Sequence, residues 1–465
     1  MSGPGTALRY CPACLDKQRQ IDELKEEVRL LQDRLRYQER TAQEGPFLSG
    51  TPSSQVPFKP SALPERQART GGGRPGHAGH GRKSVPEAEA DQVVDVPAPE
   101  HCPECGERLE DKGTRERSVL DGQPVEVVRI LYRLQRKRCP QCGRQVQAQA
   151  PGVLPKCQYG NGLLTYVATQ HYLYGMTLGQ LAKQTGVGSG SLVDGLHQLA
   201  RRLQDVPERL LQEYRRAPVK HADETGWRRD GDGGYAWLFC TPDLSLFRFR
   251  STRSAAVARE VFGPGPLPGV LVVDRYAAYN KAPCAIQYCY AHLRRDLQDL
   301  EKNFPAQFEV HGFVGTLAPL LAEAMKLRGR GLSRGTFRQQ AADVKRRIQA
   351  TVASPARHPA VQTYQDLFRE KAPRLYHWAR DPAIPAENNF AERELRPLVV
   401  ARKVSFGSQS EAGQRTREIL MTVLHTLRKR TANAVAAFGE FLDRLAARPE
   451  DDPYDLLFPR RPKPP

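Results

Sequence analysis

The spacing of hydrophobic positions changes several times along the chain. Between 17 and 40, Ile21, Leu24, Val28, Leu31 and Leu35 recur at steps of three and four on a charged background, the a/d seam of a short coiled coil. One amphipathic helix packed on its own domain carries the same pattern. From 41 to 100 the pattern dissolves into Pro, Gly, Ser and charge, with a basic RQARTGGGRPGHAGHGRK run at Arg66 to Lys83 followed by the acidic PEAEADQVVDVPAPE. Neither half can bury a core, so the stretch reads as a flexible linker, and His77 and His80 read as linker residues. Helical spacing returns over 160–205. Within it, Leu178, Leu181 and Ala182 mark a first helix, Gly186-Val187 a turn and Ser189 to Leu203 a second helix. That order fits a helix-turn-helix whose second helix enters the DNA major groove, although an ordinary helical hairpin reads similarly.

Beyond 215 the residues become β-branched and aromatic. Val219 to Trp227 (VKHADETGW) reads as a short strand ending in an acidic turn, with further strands at Tyr235 to Thr241, Leu244 to Arg250, GVLVVD ending at Asp274, and Ile286 to Tyr290. A helix is expected near Ala255 to Phe262 and another from His292. Three strands, a helix and two strands predict a mixed α/β sheet with helices on its faces. Asp223 and Asp274 sit at strand ends in this layout, 51 residues apart. On neighbouring strands their carboxylates can converge on the same divalent ions, the arrangement that phosphoryl transfer uses; alone, such residues serve as caps or turn formers. After roughly 90 mostly helix-patterned residues, including Leu317 to Leu327 and Thr336 to Val352, comes PAENNFAERELRPLVVARKVSFG. On a helix Glu392 would be flanked by Asn388, Asn389 and Arg396, with Arg393, Arg402 and Lys403 available to DNA phosphate. A surface helix with Glu–Arg pairs is the plainer reading.

Charge and cysteine narrow the class. The 465 residues carry 70 Lys and Arg against 52 Asp and Glu, a net charge of +18, which calls for an acidic partner. No apolar run approaches the roughly 18 residues of a membrane helix, and MSGPGTALRYCPACL lacks the apolar centre of a signal peptide. A cytoplasmic protein with no membrane role is therefore expected. Six of ten cysteines form Cys-x-x-Cys pairs, Cys11/Cys14, Cys102/Cys105 and Cys139/Cys142. Within 101–150 the latter two pairs flank a strand-like run, Val125 to Leu134, and four thiolates in tetrahedral array predict a structural zinc site with no open position for catalysis. Basic residues Arg129 to Arg138 give that module a positive face, for DNA or simply for solvent. If two coiled-coil helices pair in parallel, Cys11 and Cys14 of both chains could share a further zinc; otherwise they are a reduced, exposed pair.

HADETGWR, VVDRYAAYN, CYAHLRRDL and ENNFAERELRPLVVARKVSFGS, in that order, resemble the bacterial transposases of the insertion-sequence-66 family. The heptads, the GRPGHAGHGRK linker, the zinc module and the helix-turn-helix also fall where that family has them, so the resemblance covers nearly the whole chain. It implies a ribonuclease-H-like catalytic core, first part 215–295 and second part 387–445, split by a helical insertion at 296–386 and followed by a tail at 446–465. It further implies that Asp223, Asp274 and Glu392 form an Asp-Asp-Glu triad holding Mg2+ or Mn2+, with Glu224, Glu387 and Glu394 as competing acids. Cys289 and His292 match the Cys-x-x-His that follows the second aspartate in several transposase families, and read as supports of the site. Terminal inverted repeats and target DNA are the expected partners, a homodimer or higher form on DNA the expected assembly, and accessory proteins of the same element a possible requirement. Association with the nucleoid follows from that reading. A decayed, non-catalytic DNA-binding regulator and a nuclease that cuts without joining are the competing outcomes.

Overall fold

The computed structural model describes residues 149–459 throughout, 127–138, 140, 142 and 145–147, and a few positions nearer the N-terminus. Of the seam, Ile21, Leu24 and Val28 are helical with exposed side chains. Leu31, Leu35, the linker but for Ala88, and Cys11, Cys14, Cys102, Cys105 and Cys139 lie outside the described residues. Nearly everything described belongs to the compact unit from Gly122 to Pro465. It begins with a small antiparallel pair, β1 (Arg136–Arg138) and β2 (Gln145–Gln147).

Four helices follow, α1 (Asn161–Tyr172), α2 (Leu178–Thr185), α3 (Ser189–Arg202) and α4 (Val206–Arg216). Thr177 and Gln180 form a capping box at the start of α2, and Gly186 ends it in the left-handed conformation that glycine adopts without cost. Two helices and a turn therefore stand where the hydrophobic spacing put them.

The central sheet holds β3 (Val219–Arg229), β4 (Asp232–Thr241), β5 (Leu244–Arg250), β6 (Val270–Val273) and β7 (Ala285–Tyr288) in the order β5-β4-β3-β6-β7. The first three form an antiparallel meander, whereas β3, β6 and β7 run parallel. Helix α5 (Ala255–Phe262) lies between β5 and β6 in the chain. After β7 come α6 (Tyr290–Asn303), then α7 (Phe308–Leu327), α8 (Arg334–Ala353) and α9 (Pro359–Glu370). The chain closes with α10 (Asn389–Ser405), α11 (Glu411–Arg430), α12 (Ala434–Ala447) and α13 (Pro453–Leu457).

Two buried clusters cover the two faces of the sheet. Trp237 and Phe239 face one with α5, and that core continues without a break into α7 and α8 through Leu317, Leu321, Val344 and Ile348. Leu238 and Cys240, the alternate residues of β4, face the other with α1 to α4 and α10 to α13. The described part of the expected tail, 446–459, contributes to the second core, since Leu457 and Phe458 are buried.

The outer edge of β5 is closed by a helix. Glu418, Thr422 and Thr426 accept hydrogen bonds from the backbone N–H groups of Phe249, Phe247 and Ser245 at 2.9, 3.0 and 3.1 Å. Four helical residues rise about 6 Å and two strand residues about 6.8 Å, so the two repeats stay in step over three contacts. Edge donors that could template another strand are thereby satisfied. Thr422→Val keeps the shape but orphans the Phe247 N–H, and should cost about 1–3 kcal/mol of stability, read from the denaturant midpoint.

Candidate active site

β3 was expected to be short and to stop in an acidic turn, with Asp223 at its end. It instead runs on through Arg229, because β4 pairs with it all the way from His221 to Arg229. Asp223 is mid-strand toward β4. Toward β6 it stands just beyond the last pair, His221 with Val272. Carrying that register forward by two residues sets Asp223 opposite Asp274: their separation of 51 positions is the offset of the parallel register. Paired residues of parallel strands face the same side, so both carboxylates point to one face of the sheet.

Alternation along β3 also separates the two adjacent acids. His221, Asp223, Thr225 and Trp227 share the face covered by α10, as the contacts of His221 with Asn388 and of Thr225 with Arg402 show. Glu224 points the other way, where Arg253 (2.6 Å) and the Tyr279 hydroxyl hold it. Burial, then the charges of Glu224, Asp274 and Glu392, push the Asp223 carboxyl well above its usual range; only the Glu224 N–H, at 2.9 Å, opposes them. Asp274 accepts the Tyr276 N–H at 2.9 Å.

Three acids of the third segment are told apart in the same way. Glu387 accepts the N–H of Asn389 at the start of α10 (2.6 Å). Glu394 lies against α11, 3.1 Å from Lys429; burial raises its pKa, but Lys429, Arg428 and His425 together outweigh that and the net shift is downward. Glu392 is among the charges that raise the Asp223 pKa. Arg295 of α6 donates to both its oxygens, at 3.2 and 3.4 Å, and His292 Nδ1 lies 3.8 Å away. Ligand atoms of Cys289, His292 and Glu392 fall within 4.8 Å of one another. Burial holds the Cys289 thiol near 11, however, and its Sγ already accepts the Asn388 N–H, which suits a support better than a thiolate ligand.

The family model for Transposase IS66 family matches residues 156–416, more than half of the chain. The chain belongs to this family. A second model, the zinc-finger binding domain of transposase IS66, matches residues 99–143 and brings all of Cys102, Cys105, Cys139 and Cys142 inside it, which supports structural zinc. Among similar curated proteins is Uncharacterized protein y4qI of Sinorhizobium fredii (strain NBRC 101917 / NGR234), 26% identical over an alignment of 445 positions that covers 85% of this chain and 80% of the relative. Uncharacterized protein y4jD of the same organism is 25% identical over an alignment of 231 positions that covers 45% of this chain and 44% of the relative. Among the described residues no helix is long and apolar enough to cross a membrane.

In this transposase, Asn388 joins the pieces. It is buried, its Oδ1 lies 2.8 Å from His221 Nδ1, its Nδ2 donates to the Ala222 carbonyl at 2.9 Å, and its N–H reaches Cys289 Sγ at 3.1 Å. One residue thus ties the start of α10 to β3 through its side chain and to the β7–α6 junction through its backbone N–H, one turn before Glu392. Burial lowers the His221 pKa to about 4, so the ring is neutral and donates from Nδ1 to the amide oxygen. Asn388→Ala leaves His221 Nδ1 and the Ala222 carbonyl unpaired and should cost about 2–4 kcal/mol, with activity falling in parallel; thermal unfolding and a joining assay on the same sample check it.

The expected DNA-facing residues divide. Arg393, Arg396 and Lys403 are exposed and have no ion-pair partner among the described residues. Arg402 donates to Thr225 Oγ1 and the Gly226 carbonyl at 3.1 and 2.8 Å, so it fixes α10 to β3. Asn389 begins the helix. The roles of Asn388 toward His221 and of Arg295 toward Glu392 have no mark in local spacing, because each partner is about a hundred residues or more away.

Proposed function

We propose that this family member binds the terminal inverted repeats of its insertion sequence and carries out DNA cleavage and strand transfer at Asp223, Asp274 and Glu392, in a ribonuclease-H-like core. The observation that carries the reading is the parallel register that sets Asp223 beside Asp274, under a helix whose Glu392 Asp223 feels electrostatically. Half-buried carboxylate oxygens, of which among the described residues only those of Glu392 carry a cationic partner, the exposed Arg295, are a donor set that suits Mg2+ or Mn2+. Such ions, when bound, supply charge to the attacking and leaving oxygens of an in-line displacement. Asp223 and Asp274, fixed by backbone hydrogen bonds, orient the site from the sheet, and Glu392 closes it from the helix. Arg295, exposed and paired with Glu392, is free to exchange that carboxylate for a DNA phosphate, since an exposed ion pair is weak. Cleavage leaves a 3′ hydroxyl, which the same site positions against target DNA; both steps depend on placement rather than on a covalent enzyme intermediate.

The zinc module and the α2–α3 pair bind the element ends in this reading, α3 presenting exposed Ser189, Gly190 and Ser191 at its N-terminus. The seam at 17–40 pairs two chains, the accessory proteins of the element assist them, and DNA binding keeps the protein on the nucleoid. A supercoiled target incubated with a pre-cleaved element end and Mg2+ tests the function. Joined product is expected; cleavage alone would mark a nuclease, and binding alone a regulator.

A further inference from the structure

Phe406 combines a strained backbone with an exposed aromatic side chain. It ends α10 in the left-handed conformation, φ 59°, which a bulky residue rarely adopts and where glycine or asparagine is usual. Its ring is 77% exposed, so packing does not hold it there. The turn around it is rigid: the Phe406 N–H donates to Arg402, the Ser408 N–H to the Arg228 carbonyl, and the Asp230 N–H to the Ser408 carbonyl, at 2.9, 2.9 and 2.8 Å. Gly407, at φ 128°, lies so close to β3 that a Cβ would sit 2.2 Å from the Arg228 oxygen. The fold thus holds an aromatic ring out in solvent in a conformation that costs it free energy, a pattern that points to function.

Its surroundings select the ligand. The exposed stripe of α10 leading to it alternates cation and aliphatic residue, Arg396, Val400, Lys403 and Val404. Fourteen residues separate Glu392 from Phe406, about 21 Å of helix, or roughly six base-pair steps. Positive charge along the path with an aromatic ring at its end matches a nucleic-acid strand, whose bases stack on aromatic faces whatever their identity.

We propose that Phe406 is a base-stacking contact, taking the face of an unstacked nucleobase about six steps from the phosphate at the catalytic carboxylates. It rests on the functional reading above only for where that phosphate lies. Binding is measured in EDTA, so no catalysis enters, with a DNA duplex containing an unpaired thymine bubble and the fully paired duplex as probes. The three native tryptophans, Trp227, Trp237 and Trp378, are buried, so in Phe406→Trp the added indole reports alone on collisional quenching. Its emission should fall on adding the bubble duplex, with affinity kept. Phe406→Gly should bind the bubble duplex roughly tenfold more weakly, yet unfold at the same or a higher temperature because the strained conformation is relieved. A structural role for the ring predicts the reverse, a lower unfolding temperature with DNA affinity unchanged, and either half of that result overturns the proposal. Indole emission unmoved by DNA also overturns it. Retained joining in the triad variants would overturn the functional reading while these binding results left the stacking contact standing, and the converse holds equally.

Discussion

Asp223→Asn should abolish DNA joining while raising the unfolding temperature of the metal-free chain. Three carboxylates surround Asp223, and burial adds to their repulsion. A folded-state pKa above the unfolded value means that the folded chain binds more protons between the two, so stability falls as pH rises through that window. Removing the charge relieves this cost, and a rise on the order of 2 °C or more is expected near neutral pH. Wild-type protein should gain stability with Mn2+ and release protons on binding it, whereas Asp223→Asn should show little of either effect. Joining should fall on the order of a thousandfold or more, because the oxygens that place charge at the reacting phosphate are lost. Asp274→Asn and Glu392→Gln should match it in activity. Scanning calorimetry with and without Mn2+, beside the joining assay, separates a lost site from a lost fold.

Cys139→Ser or Cys102→Ser should release the zinc and with it the ability to bind element ends. The match of residues 99–143 to the zinc-finger domain model supports structural zinc on four thiolates. In small modules of this kind the binding free energy, about 10–16 kcal/mol, is the folding free energy, so one missing ligand removes more than the module can spare. Zinc content by atomic absorption should fall from about one equivalent per chain, and affinity for the inverted repeats should drop at least about a hundredfold, to the sequence-blind level. The sheet and helices from Asn161 to Leu457 have cores of their own, so far-ultraviolet circular dichroism should change little.

The sequence pattern carried the strands and helices of the core because each is a local run of one period. GVLVVD and LSLFRFR are strands in the fold, and Ala255 to Phe262 is a helix. The pairing of Asp223 with Asp274 was legible only as a condition, that their strands be neighbours, since spacing does not reveal register. β3 outran its expected end because Glu224, Thr225 and Gly226 resemble a turn locally, while β4 offers them a full antiparallel partner. The choice of Asp223 over Glu224 rests on strand alternation, which separates them cleanly once the covering helix is known. The Asn388–His221 contact, the helix that closes the β5 edge and the strained Phe406 turn were not legible. Each joins segments more than 150 residues apart, and none changes the hydrophobic period that marks local structure.

Anomalous scattering from Mn2+ in crystals of the transposase with element-end DNA tests the central claim most directly. Density is predicted on the face of the sheet between Asp223, Asp274 and Glu392, at about 2.0–2.2 Å from their oxygens. Density on Cys289 and His292, with Asp223 and Asp274 left bare, would contradict it.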